Sequence, residues 1–200
     1  MTTKESIQQL LIEYNGTLTQ KIASQHGLSA SKMQYYVHTG LLFKEARGFY
    51  TGIGAVPDYT FLLSNKFESG VFSHGSAIYL HGLSDYAPEP FYEMTFFKGY
   101  HNENLDNHHI MSHTISNKDL FNSDIETIKS MHGNPIRVYS IERVLIDSIK
   151  SPDNYLAEVR SEAFKRYFKQ FKNKRLSKML EIAQKLNVEE QVKLYVESFL

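Results

Sequence analysis

Residues 15–52, NGTLTQKIASQHGLSASKMQYYVHTGLLFKEARGFYTG, change from helical to extended patterning within a few turns of chain, an order that few folds accommodate. A short helical segment carries Ile22 and Ala23, with Thr19 placed as its N-cap. A turn follows at His26-Gly27, and Ser29 caps a second segment whose Ala30, Met33 and Val37 face inward. Gly40 stops that segment, and two β-like runs, 41–45 and 49–51, meet at Arg47-Gly48. Upstream, residues 4–14 place Ile7, Leu10, Leu11 and Tyr14 on one stripe, ended by Asn15-Gly16. Helix, turn, helix and hairpin in that order predict a winged helix-turn-helix over residues 1–52.

The outward side of the helix after Ser29 carries side chains suited to reading a duplex. Lys32, Gln34 and His38 end in hydrogen-bonding groups that base edges can meet, and Tyr35 can reach a phosphate or stack on sugar. The backbone amides from Ser29 to Ser31 can hold a phosphate at the helix start, and Arg47 sits at the wing tip. The same module also serves elsewhere as a protein-docking face, with such residues merely solvated. Net charge is zero and the pI is about 7.1. Nonspecific attraction to DNA is therefore expected to be weak, and contact must come from a local patch, dimerisation or cooperative assembly.

The rest of the chain exceeds what a small DNA reader needs. The segment 53–57, IGAVP, reads as a linker, so the expected domains are 1–52 and 58–200. Within the second, residues 58–150 alternate helical stretches (59–67, 75–83) with strands (92–97, 110–115, 125–130, 136–139), and a helix opens at Ser140. Residues 151–200 read as three amphipathic helices, which makes the fold class α+β. A hydrophobic content of 42% supports a sizeable core. Without cysteine there are no disulfides and no thiolate metal sites, which suits a reducing cytoplasm. The first residues, MTTKESIQQL, lack a signal peptide's apolar core, and no apolar run approaches the roughly 20 residues of a membrane span.

Catalytic motifs are missing: there is no P-loop, no GxSxG and no dinucleotide fingerprint, so an enzyme is not expected. His109 and His113 are four apart, but Ile110, Met111 and Ile115 put them on a strand or loop, where that spacing separates the rings. No metal and no cofactor are expected. His74 and His81 flank a helix, where one is expected to be buried and bonded. Farther on, Lys165, Arg166, Lys169, Lys172, Lys174 and Arg175 interleave with Phe164, Tyr167, Phe168 and Phe171. The aromatics form an inner stripe and the cations an outer face, either plainly solvated or a docking surface for an acidic protein or a nucleic acid.

Three segments, in order, resemble the AbiEi-type antitoxins of bacterial abortive-infection toxin–antitoxin pairs: GLLFKEARGFY (40–50), SHGSAIYLHGLSD (73–85) and VYSIERVLIDSI (138–149). Val144 stands where a threonine is common in that family, a change that leaves the packing intact. The resemblance implies a transcriptional autoregulator that binds inverted repeats in its own promoter, cooperatively even if monomeric in solution. It also implies a nucleotidyltransferase toxin as functional partner, countered without a stable complex. The other reading is a stand-alone transcription factor whose carboxy-terminal domain senses a ligand or dimerises.

Overall fold

The structure, a computed structural model, describes residues 3–88, 90–170, 175–197 and 199. It is mixed α/β with two separate sheets, in keeping with the expected α+β class. Two compact units divide the chain: Met1–Phe67 with Ile128–Ile136, and Glu68–Thr127 with Arg137–Leu200.

The first unit begins with α1 (Thr3–Glu13), which buries Ile7 and Leu10. After it come β1 (Thr17–Thr19), α2 (Gln20–Gln25) and α3 (Ala30–His38). β2 (Leu42–Ala46) and β3 (Phe49–Gly52) complete an antiparallel sheet of order β1-β3-β2. Thr19 Oγ1 accepts from the Ile22 amide at 3.2 Å, and Ser29 Oγ accepts from the Lys32 amide at 3.3 Å, so both short helices start where a hydroxyl caps them. Ala30 is exposed, contrary to the inward position expected of it, and Val37 is only half-buried. The inward positions are Leu28 and Met33, one residue before the cap and four after it, as in a hydrophobic staple.

The domain break expected at 53–57 falls elsewhere, because α4 (Tyr59–Lys66) belongs to the first unit. Asp58, fully buried, is the reason. Its carboxylate caps α4 by accepting from the Phe61 amide at 3.1 Å and the Thr60 hydroxyl at 2.9 Å. It also accepts from Asn134 Nδ2 at 2.9 Å and from the Ser130 hydroxyl. The Asp58 amide donates to Thr17 Oγ1 at 3.2 Å. One residue thus joins α4, β1 and the segment around 130–134.

In the second unit β4 (Gly70–Phe72) runs into α5 (His74–Leu80), then β5 (Tyr92–Phe97) and β6 (Ile110–Ile115). α6 (Lys118–Asn122), β7 (Ile125–Lys129), β8 (Pro135–Tyr139) and α7 (Ile141–Lys150) follow, the end of β7 and the start of β8 being counted with the first unit. The sheet order is β6-β5-β4-β8-β7, with β4 antiparallel to β5 and the pairs β4/β8 and β5/β6 parallel. Helices α8 (Ala157–Gln170), α9 (Leu176–Lys185) and α10 (Glu189–Glu197) complete it. α7 is the hub, packing against α5, α8, α9 and α10 through buried residues that include Val144, Leu145 and Ile146. The Ser140 hydroxyl caps it by accepting from the Arg143 amide at 3.3 Å. No helix among the described residues is long and apolar enough to cross a membrane.

Candidate functional site

In the first unit, α3 lies against β2 and turns its polar side outward. Ser29, Ser31, Lys32 and His38 are exposed, as is Tyr35 at 61%, whose ring meets Tyr36 edge-on at 5.2 Å. Ser31, Tyr35 and His38 recur at helical spacing and share one face. Gln34 is half-buried, so its amide emerges from the flank of that face rather than its crest.

Arg47 is exposed in the β2–β3 turn, which closes on Gly48 at φ +78°, a conformation that favours glycine. The turn is tied down: the Gln20 amide donates to the Gly48 carbonyl at 2.7 Å, and the Tyr50 hydroxyl donates to Gln20 Oε1 at 3.3 Å. Gln20 Nε2 reaches the Leu28 carbonyl at 3.3 Å, so one side chain connects β3 with the turn ahead of α3. Lys66 lies over the Phe49 ring at 5.8 Å. Its ammonium is held below the ordinary lysine range by burial, then by the Arg47 charge, so a second cation stands near the turn. Periodicity could not reveal Lys66, because it lies beyond the segment read as a linker.

The carboxy-terminal basic face is a different surface from the one expected. Lys165 and Lys169 are exposed, but Arg166 pairs with Asp85 and with Glu162 one turn earlier. Arg175 pairs with Glu126 at 2.7 Å and with buried Glu142, whose carboxylate also accepts from the Tyr167 hydroxyl at 3.0 Å. Asp85, Glu126 and Glu142 are distant in sequence, so a local count of charges overstated the positive field. Lys172, Lys174 and Phe171 lie outside the described residues. Arg143 and Asp147, four apart on α7, pair at 2.8 Å, and Arg143, 2% exposed, also donates to the Leu120 carbonyl at 2.9 Å.

Histidine chemistry in the second unit does not follow the His109–His113 spacing. Instead His113 on β6 stacks on His74 at the start of α5, with ring centroids 3.6 Å apart and planes 16° from parallel. His113 Nε2 lies 3.1 Å from Glu93 Oε1 on β5. His74 takes φ +51°, a conformation rare for residues other than glycine, and its Nδ1 lies 2.9 Å from Ser73 Oγ. Burial first, then the charges of His113 and Arg143, hold the His74 ring neutral with a pKa down to about 3. His113 and Glu93 also border a cleft of about 470 Å³ whose apolar wall includes Phe91, Met111, Leu156 and Val159. His81 is the bonded histidine at the other end of α5, its Nε2 donating to the Tyr139 carbonyl at 2.8 Å.

No protein-family model matches the sequence, and no curated protein does. Among solved structures, the fold is similar to the crystal structure of the RV2827C protein from Mycobacterium tuberculosis, with a TM-score of 0.54. That likeness covers 96% of this chain and 78% of that chain at 11% identity, so it shows the fold alone.

Proposed function

We propose that the first unit is a winged helix-turn-helix that binds double-stranded DNA, with α3 in the major groove and the β2–β3 turn against the neighbouring backbone. The observation that carries this is the outward side of α3. A short helix seated on buried Met33, and capped by an exposed serine, presents Ser31, Lys32, Tyr35 and His38 to solvent. Hydrogen-bonding tips on a helix of groove-compatible size are what base reading needs, and a tethered Arg47 supplies a phosphate contact. Fluorescence anisotropy on the duplex upstream of the protein's own reading frame tests it. Binding that weakens with salt and competes poorly with unrelated duplex supports the reading, and equal affinity for any duplex counts against operator recognition.

From the three antitoxin-like segments we further infer that the chain counters a nucleotidyltransferase toxin and represses its own operon through inverted repeats, without catalysing a reaction. Two of those segments supply α5 and α7, which pack on each other. Their side chains account for packing, so the neutralising surface must be sought among exposed groups, which among the described residues of the expected face include Lys165 and Lys169. Co-expression with the toxin encoded beside it tests this: restored growth supports the reading, and continued arrest removes it. The cleft beside His113 favours a second reading, a transcription factor that senses a ligand through its second unit. DNA binding without rescue from any neighbouring toxin would point there.

A further inference from the structure

Strand register brings the polar cluster of the second unit together. His113 stands opposite Thr95 in the β5–β6 ladder, and Glu93, two residues before Thr95, shares its face and sits on the diagonal. The Ser73 amide donates to the Glu93 carbonyl at 3.0 Å, which sets the next residue, His74, over the same place. We propose that His74, Glu93 and His113 form a binding site for one divalent transition-metal ion of zinc-like character.

The donor atoms support this in number, kind and spacing. All three lie within 4.8 Å of one another. Zinc bonds of about 2.0–2.2 Å in tetrahedral geometry put neighbouring donors roughly 3.4 Å apart, near the 3.1 Å between Glu93 Oε1 and His113 Nε2. Two imidazoles and one carboxylate suit zinc or its first-row neighbours rather than magnesium or calcium, and they leave one position open.

The outer contacts fit as well. Glu93 Oε2 accepts from the Gly75 amide at 2.7 Å, which leaves Oε1 for an ion. In the tautomer that donates from Nδ1 to Ser73 Oγ, the His74 Nε2 lone pair is free, the usual way a ligating imidazole is oriented. Stacked rings do not aim two lone pairs at one point, so binding requires one ring to turn about its Cβ–Cγ bond.

An independent observation points the same way. Among the described residues the Tyr155 hydroxyl is buried without a hydrogen-bond partner, and its ring lies 5.2 Å from that of His74. A water or anion held beside the cluster would give that hydroxyl an acceptor.

The test is calorimetric titration of the chelator-treated full chain with zinc(II), followed by the visible spectrum after cobalt(II) is added. We expect one ion per chain and the intense visible bands of tetrahedral cobalt. His113→Ala should weaken zinc binding on the order of 100-fold. In Gly75→Ala the new Cβ would lie 2.7 Å from Glu93 Oε2, displacing a carboxylate at the end of a flexible side chain while the backbone stays. That variant should keep its fold by circular dichroism and lose at least tenfold in affinity. A double variant at exposed histidines, His101→Gln with His109→Gln, should bind as the parent does. Absence of binding, an unchanged affinity in His113→Ala, or loss of binding in the His101/His109 pair would overturn the site.

Discussion

A carboxylate with no exposed surface must find all its partners inside the fold, and Asp58 does, through Thr60, Phe61, Ser130 and Asn134. Truncating it leaves those donors unpaired in a dry site, each a desolvation cost with no return. Asp58→Ala is therefore expected to destabilise the first unit by roughly 3 kcal/mol or more, read as a lower urea midpoint in equilibrium unfolding. A midpoint within error of the parent would deny the carboxylate this role. His81 gives a second residue-scale expectation. Burial chiefly holds its pKa below the ordinary 6.5, against weaker pulls from the Tyr139 carbonyl, Glu126 and Glu142. The unfolded chain then takes up the proton first, so its contribution is full above pH 6.5 and stability falls as pH drops below that value. Unfolding midpoints from pH 7.5 to 5.5 should show that fall, and His81→Gln should make it shallower; an equally steep fall in the variant removes His81 as its source. Asp58 was not legible in the sequence, because its partners at 130–134 lie far along the chain. That one of the two histidines flanking α5 would be buried and bonded was legible, but not that both His74 and His81 find partners.

At the scale of elements, caps and periodicity carried most of the reading. Thr19, Ser29 and Ser140 each start a helix where a hydroxyl preceded an apolar stripe. β1 and β4 escaped because three residues are too few to show a period of two, and both are buried without alternation. The wrong inward placement of Ala30 has a similar origin: at the first turn of a helix the body of the unit is met by the residue before the cap, here Leu28. The His74–Glu93–His113 cluster depends on pairing between parallel strands, which no local pattern encodes. For α3, Ser29→Ala removes the bond to the Lys32 amide and should cost about 1 kcal/mol of stability. It should weaken DNA binding as well, if the helix start holds a phosphate. Gln34→Ala is expected to relax base preference, at roughly 1–3 kcal/mol if the contact is bidentate. Half-burial makes the milder end the expectation, and binding to a panel of single-base operator variants checks it. An unaltered preference profile would move base reading to Lys32, Tyr35 or His38.

At the scale of the whole molecule, zero net charge means that affinity for DNA cannot come from bulk attraction. On the proposed function it comes from a few placed cations and, on inverted repeats, from assembly of more than one chain. Roles of the two units are best separated by point variants in the full chain. A truncation near residue 53 would strip residues 54–67 and 128–136 of the rest of their unit, including Asn15, which donates to Asn134 Oδ1 at 3.3 Å, and Thr17, whose hydroxyl accepts from the Asp58 amide. Among the cations, Lys32 on α3 and Arg47 in the β2–β3 turn are exposed on the proposed surface, Lys32 toward base edges and Arg47 toward phosphate. The most direct measurement is the salt dependence of binding to the upstream duplex, for the parent and for Lys32→Ala with Arg47→Ala. If Arg47 touches phosphate and Lys32 a base edge, the double variant should bind more weakly, its slope of log affinity against log salt should fall by about 1, and its base preference should relax. A double variant with the parent's affinity and the parent's slope would contradict the assignment of α3 and the turn as the DNA-binding surface.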